Sequence, residues 1–384
     1  PPGGTRTSAI RALRQVAIES SVPKGAVMTD SGGVLNDRRE VTAKWLTHSL
    51  REGGFLDQGR ITSIQVERWR NKLISELLRV RVAYSRDAPA SAPASLIVKV
   101  TKPGQESRRA TRRGWKETRF YGLIAPHMDD PPVPVCYGTA HDPTRGRSHL
   151  LLEDLSESHD RPPRGLPPTP EQAEQNIDCL AAIHGRWWNE PQLVRALGLR
   201  DERWYERRIV ATADLFEGFV AEVGPHLSAA TRSMLADVVA FHPTLLRRHA
   251  EVNLTVAHGD AHCWNFLTPR TPEDGRPCLI DWECWDIEPG VSDLASLMAI
   301  HWYPDLRQAL ERPLIERYHR GLQEQGVDDY GWDACWTDYR FAVVERVLNP
   351  LYQWHRGRPI DSWWSNLARI SMAYRDLGCA ELIA

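Results

Sequence analysis

VAHGDAHCWNFL at residues 256–267, followed by CLIDWECWD at 278–286, decides how this chain is read. In each segment a short apolar run leads into an acid: Val256-Ala257 precedes His258-Gly259-Asp260, and Cys278-Leu279-Ile280 precedes Asp281. Asn265 stands five residues beyond Asp260. Asp260, Asn265 and Asp281 are hard oxygen donors. Mg²⁺ favours such a set, with one or two carboxylates and its other positions left to water and phosphate oxygens. An Asp after a Gly reads equally well as a turn cap when taken alone. The three residues together, at this spacing, give the segment its chemistry. His258 and His262 also form an H-x3-H pair beside Cys263. That pair ligates zinc when both rings share a helix face, but this segment reads as a loop and no Glu completes an HExxH pattern.

Working outward, three runs upstream read as strands: ITSIQVERW at 61–69, ISELLRVRVAY at 74–84 and ASLIVKV at 94–100. Val41, Trp45, Leu46 and Leu50 mark one face of a helix over 37–50, which Gly53-Gly54 ends. A second helix is expected from Ser107 to Leu123, then strands VPVCYGTAH at 133–141 and HLLLEDL at 149–155. The prolines of HDRPPRGLPPTP at 159–170 suit neither a helix interior nor a central strand. Beyond them the chain reads as mainly helical. The expected organisation is a flexible lead with a short helix over 1–38, a β-rich N-lobe over 39–155, a Pro-rich linker over 156–170 and a helical C-lobe over 171–384. The fold class is α+β, in two lobes.

Composition narrows the function classes. A net charge of −2, with no basic tail or stripe, argues against a nucleic-acid binder. No run of about 18 apolar residues is present to span a membrane, and the opening PPGGTRTSAIRALRQ has no apolar signal core. Seven scattered cysteines without a CxxC fit reduced, buried thiols in a cytoplasmic protein. Only six lysines occur, none after Lys116, which singles out Lys99 inside the apolar strand Leu96-Ile97-Val98-Lys99-Val100. An edge-strand lysine could discourage aggregation. These flanks look too buried for that role, and a buried ammonium needs a partner. Glu117, on the following helix, is the expected one, with Glu106 the other candidate nearby.

HGD-x4-N followed by an apolar-apolar-Asp strand resembles the aminoglycoside phosphotransferase and choline kinase superfamily, small-molecule counterparts of the HRD-x4-N and DFG pair of protein kinases. ASLIVKV at 94–100, KETRFYGLIAP at 116–126, HLLLEDLS at 149–156 and LAAIHGRWW at 180–188 resemble its ecdysteroid-kinase-like branch. The resemblance implies a protein-kinase-like two-lobe fold and ATP-dependent phosphoryl transfer to the hydroxyl of a metabolite, natural product or antibiotic. In that reading Asp260 is the catalytic base, and Asn265 and Asp281 hold Mg²⁺. Lys99 contacts the ATP phosphates with Glu117 as its anchor. Glu153 and Leu155 belong to the adenine hinge, while His258 and Asp293 support the catalytic loop. The chain departs from the pattern in two places. Trp282 and Glu283 follow the metal aspartate where Phe is common, and RWRNKLISELLR at 68–79 has no glycine to cover the phosphates, leaving Lys72 and Ser75 as local candidates. This second departure supports an alternative reading as a pseudokinase or ligand-binding module.

Twelve of the fifteen tryptophans fall at or after Trp187, on the expected acceptor side. Trp264, Trp282 and Trp302, with His262 and Glu283, are candidate acceptor contacts. Asp286, Glu288, Asp293 and Asp305 supply some acid there, less than a polycation would want. Oligomeric state and the acceptor's identity are not encoded in any motif found here.

Overall fold

The computed structural model describes residues 33–71, 74–190, 202–248 and 252–384. Most of the expected lead, with its short helix, lies outside the described residues. Within residues 33–38, the described end of that lead, two side chains are packed. Val34 and Leu35 are buried, and the Leu35 N–H donates to His149 Nδ1 at 3.2 Å. Helix α1 (Ala43–Glu52) starts where Thr42 Oγ1 accepts from the Trp45 N–H, and it turns Leu46 and Leu50 inward. Gly54, at φ 76°, supplies the left-handed residue just past its end.

Strands β1 (Ile61–Asn71), β2 (Ser75–Tyr84), β3 (Ser95–Thr101), β4 (Cys136–Asp142) and β5 (Arg147–Glu153) form one antiparallel sheet. Its order is β1-β2-β3-β5-β4, so β3 is central. Side chains alternate across a strand. Leu96, Val98 and Val100 therefore join Leu46, Leu50, Leu78 and Leu151 in a core beneath α1. Ile97 and Lys99 face the other way, towards the main core and the cleft between the lobes. Lys99 sits opposite Leu77 and Leu150 in the ladder. Helix α2 (Arg108–Arg119), capped by Ser107, continues as a π-turn, Phe120–Ile124, that puts Phe120, Tyr121 and Ile124 in the main core. The helix expected over 107–123 is thus present with a change of winding near its end.

The C-lobe contains α3 (Pro170–Arg186), α4 (Glu202–Val223), α5 (Ala229–Arg248), α6 (Val291–Leu294), α7 (Pro304–Glu324), α8 (Trp332–Arg346), α9 (Asn349–His355) and α10 (Ile360–Asp376). Short strands β6 (His159–Asp160), β7 (Thr255–Ala257), β8 (Phe266–Pro269), β9 (Cys278–Leu279) and β10 (Asp286–Glu288) frame the two segments quoted at the outset. They pair as β6-β8-β9 and β10-β7. The stretch expected as a linker is docked. His159 and Asp160 within it form β6, the Trp264 indole N–H donates to the Pro163 carbonyl at 3.2 Å, and the Tyr303 hydroxyl donates to the Gly165 carbonyl at 3.3 Å. Proline removes a backbone donor but leaves an acceptor, and this segment is held through its acceptors. Among the described residues no helix is long and apolar enough to cross a membrane.

His149 ties the chain's first described residues to the sheet. Its ring accepts from Leu35 and meets the Trp45 ring edge-on at 5.3 Å. Burial pushes its imidazole down to about 4. A histidine held below its ordinary value binds its proton more readily in the unfolded chain. Its contribution to stability is therefore complete above about pH 6.5, is lost as the pH falls towards 4, and levels off below that. The full loss is about 3 kcal/mol. Urea unfolding at pH 7 and pH 4.5 should show a falling midpoint, with a shallower fall in His149→Gln.

Candidate active site

The site is organised by one buried cation. Lys99 Nζ lies 2.6 Å from a Glu117 carboxylate oxygen and 2.8 Å from Asp281 Oδ1, with Glu283 at 4.0 Å. Three elements converge here: β3, α2 and the residue that follows the strand β9 and Ile280. Burial disfavours the ammonium, but Asp281, Glu117 and Glu283 outweigh it and raise Lys99 above its ordinary value. Burial, Asp281 and Glu283 push Glu117 up while Lys99 pulls it back, and the net direction is upward. Glu106, the other sequence candidate for Lys99, pairs instead with Arg147.

Helix α2 is fastened to the C-lobe beside this triad. Lys116 Nζ donates to the Trp285 carbonyl at 2.5 Å and to Asp286 at 2.8 Å, while the Trp285 indole donates back to the Lys116 carbonyl at 2.6 Å. Phe120 stacks on Trp282 with ring centroids 3.6 Å apart. These contacts fix the height and rotation of α2, and so the reach of Glu117.

The Asp260 loop is held from beneath by Asp293, which is fully buried at the start of α6. Its carboxylate accepts from the His258 N–H at 2.5 Å and the Gly259 N–H at 2.9 Å. His184 lies 3.3 Å from Asp293 and 2.9 Å from the Tyr318 hydroxyl. Burial alone would raise Asp293; His184, His258 and the His258 N–H outweigh it and hold it below the usual carboxylate range. His258 accepts from the Asp260 N–H at Nδ1 (3.3 Å), so its proton sits on Nε2 and donates to the Ile280 carbonyl at 3.0 Å. The ring thereby links the two segments and faces no solvent. Gly259 is at φ 77°, and a Cβ there would stand 2.6 Å from the Cys284 carbonyl, so only glycine fits.

Asp260 itself is exposed. Asn265 Nδ2 donates to the Asp260 carbonyl at 3.1 Å, and among the described residues no protein hydrogen bond engages its Oδ1. Asp281 is one of three non-glycine residues with positive φ among those described (74°), a conformation Asp tolerates better than most residues. Carboxylate oxygens of Glu117, Asp281 and Glu283 lie within 4.8 Å of one another. The donor chemistry of Asn265 and Asp281 suits a hard divalent cation.

Lys99, Glu117 and Asp281 close one end of a cleft of about 260 Å³. Leu77 and Ile97 line it from the sheet, Leu267 and Ile280 from the C-lobe, and Leu152, Glu153 and Leu155 from the connection between lobes. Leu267 and Ile280 were missed by the sequence reading. Each lies beside a singled-out residue, two after Asn265 and one before Asp281, and strand alternation was the available signal. Ser75 is placed elsewhere: it is buried in β2 and lines a separate small cavity behind Lys99. Lys72 lies outside the described residues.

The acceptor side differs from expectation in its tryptophans. Trp282 and Trp302 are 0% and 1% exposed, so neither can form a wall for an acceptor. Trp282 is consumed by its stack on Phe120 and its bond to the Leu279 carbonyl, and Trp302 is core. Trp264 is half-buried, 5.4 Å from the His262 ring. His262 is lowered by burial, its Nδ1 has no hydrogen-bond partner, and its ring is 5.3 Å from that of His301. Glu283 pairs with Arg113.

Comparison with known proteins agrees with this geometry. The model of the phosphotransferase enzyme family (APH) matches residues 78–335. No curated protein matches the sequence. Among solved structures, the chain is similar to an ethanolamine kinase from Plasmodium vivax, at 13% identity and a TM-score of 0.51, over 91% of this chain and 99% of that one. It is also similar to the GDP complex of wild-type aminoglycoside 2'-phosphotransferase-IIIa, at 16% identity and a TM-score of 0.50, over 82% and 94% of the two chains. At these identities the likeness is one of fold.

Asp293→Ala leaves the buried His258 N–H, the Gly259 N–H and His184 without their acceptor. It should lower stability by about 3 kcal/mol or more, read from denaturant midpoints. An unchanged midpoint would show that the loop does not depend on this carboxylate.

Proposed function

We propose that this chain, which belongs to the phosphotransferase enzyme family, is an ATP-dependent kinase that phosphorylates a hydroxyl of a small molecule. The observation that carries the reading is Lys99, held 2.6 Å from Glu117 and 2.8 Å from Asp281 at the end of the interlobe cleft. Phosphoryl transfer is catalysed mainly by positioning and charge stabilisation, and this arrangement provides both.

In this reading adenine lies between Leu77 and Ile97 on one side and Leu267 and Ile280 on the other, against the backbone of Glu153 to Leu155. Lys99 holds the α- and β-phosphates, and Glu117 keeps its ammonium aimed. Asn265 and Asp281 are the residues that would hold Mg²⁺, which neutralises phosphate charge when bound. Asp260 orients the acceptor hydroxyl and takes its proton as the oxygen bonds to the γ-phosphorus and the bond to the ADP oxygen breaks. Its exposure suits that task, because an acceptor must reach it. Ala94 to Val100, Lys116 to Pro126, His149 to Ser156 and Leu180 to Trp188 support assignment to the ecdysteroid-kinase-like branch, with a hydroxylated metabolite or natural product as acceptor. A non-catalytic module could hold a nucleotide with Lys99, Glu117 and Asp281, but it leaves the exposed Asp260 on its braced loop without a purpose.

Thermal unfolding with and without Mg²⁺-ATP tests the nucleotide site. Ligand at about 100 times its dissociation constant should stabilise the wild type by about 2.7 kcal/mol. Asp281→Asn should abolish the magnesium-dependent part, and a shift equal in both proteins would remove Asp281 from the site. Asp260→Ala should keep the nucleotide shift and lose on the order of 10²–10⁴ in turnover. Full turnover in that variant would sink the assignment of the base.

A further inference from the structure

RWRNKLISELLR at 68–79 has no glycine to lay over phosphates, but it turns an arginine into the interlobe cleft. Strand β1 pairs with β2 regularly as far as Arg68, which stands opposite Leu78. The register then slips by one residue, and Arg70 comes opposite Leu77. Without the slip Arg70 would stand opposite Glu76, on the face that Leu78 and Val100 turn towards α1. Bulges beside active sites commonly re-aim a side chain in this way. Residues directly opposite each other share one face of a sheet. Arg70, Leu77, Lys99 and Leu150 therefore form a single row across β1, β2, β3 and β5. Arg70 is the exposed end of that row, two strands and about 10 Å from Lys99 along the sheet.

Arg161 enters the same cleft from the other lobe. It follows β6 directly, in the docked proline-rich segment, and its Nη1 donates to the Trp264 carbonyl at 3.2 Å. Trp264 precedes Asn265, so this guanidinium is anchored one residue from a proposed metal ligand. Among the described residues Arg161 has no carboxylate partner, and its other N–H donors are uncommitted.

With Lys99, these two are the lysine and arginine side chains that line the cleft among the described residues. Lys99 has no positive charge to spare, because Glu117 at 2.6 Å and Asp281 at 2.8 Å share its ammonium. The other acids of the lining are engaged as well: Asp160 with Arg270 at 3.0 Å, and Glu153 with the Val135 N–H at 3.1 Å. A triphosphate placed here needs cationic groups besides Lys99, and arginine clamps on a transferring phosphoryl group meet that need. Guanidinium forks match phosphate oxygens in pairs. We propose that Arg70 and Arg161 clasp the phosphates of the nucleotide from opposite lobes, replacing with side-chain charge the glycine loop that this chain lacks. The proposal rests on the kinase reading and names two further residues that position its phosphoryl donor.

The test is calorimetric titration of Mg²⁺-ATP, and separately of adenosine, into the whole chain as wild type, Arg70→Gln and Arg161→Gln. ATP binding should weaken about tenfold in each variant, as when one charge-assisted hydrogen bond is lost, while adenosine binding stays unchanged. Arg70 is exposed, so Arg70→Gln should keep the wild-type thermal midpoint in the absence of ligand, and its weaker ATP binding is then no loss of fold. Raising the salt concentration should weaken ATP binding less in Arg70→Gln than in the wild type, because an exposed charge is screened. Unchanged ATP binding in either variant would overturn the proposal. So would an equal loss of ATP and adenosine binding in Arg161→Gln, which is the mark of a residue that only docks its own segment. A wild type that binds Mg²⁺-ATP through such a result keeps the kinase reading; a wild type that binds neither ligand removes both.

Discussion

An ammonium buried in the middle of a β-sheet must be neutralised, and most of this molecule's architecture can be traced to how Lys99 meets that demand. Its side chain is 10% exposed, so water contributes little. Neither neighbouring strand supplies an acid, since Leu77 and Leu150 stand opposite it. The carboxylates come from α2 and from the C-lobe, and a buried charge stripped of its partners is strongly destabilising. Closing the lobes around Lys99 is therefore a condition of the fold as much as of the site. The paired contacts of Lys116 with Trp285 and Asp286, and the stack of Phe120 on Trp282, secure the same closure through packing.

This explains which parts were legible in the sequence. Strand alternation and a short polar loop are local, so the five strands of the sheet and the spacing of Asp260, Asn265 and Asp281 could be read directly. Lys99 stood out because a lysine contradicts its apolar neighbours, and such contradictions tend to mark sites. The tryptophans misled for the opposite reason. Trp282 and Trp302 lie close in sequence to the acid residues, but an indole is large and mainly apolar, and burial claimed both. Leu35 and His149 meet across 114 positions, which no periodicity reveals. The prolines of the supposed linker announced missing donors and said nothing about the acceptors that dock it.

Rigidity and access are divided between the two sides of the Asp260 loop. Beneath it, Asp293, His184 and Tyr318 form a buried chain of hydrogen bonds, and His258 reaches across to Ile280. Above it, the Asp260 side chain is exposed, and Asn265 is anchored through its amide nitrogen alone. The loop is thus fixed through groups that face away from any reactant. A carboxylate placed this way keeps its position without engaging its own oxygens.

The acids around the site show the same division. Each nearby acid that holds the structure together is paired with a cation or with backbone N–H groups: Glu117 and Asp281 with Lys99, Glu283 with Arg113, Asp286 with Lys116, Glu288 with Arg346, and Asp293 with the loop. Asp260, by contrast, stays exposed, and its carboxylate has no such partner among the described residues. The carboxylate on the braced loop is thus the one that the fold leaves uncommitted.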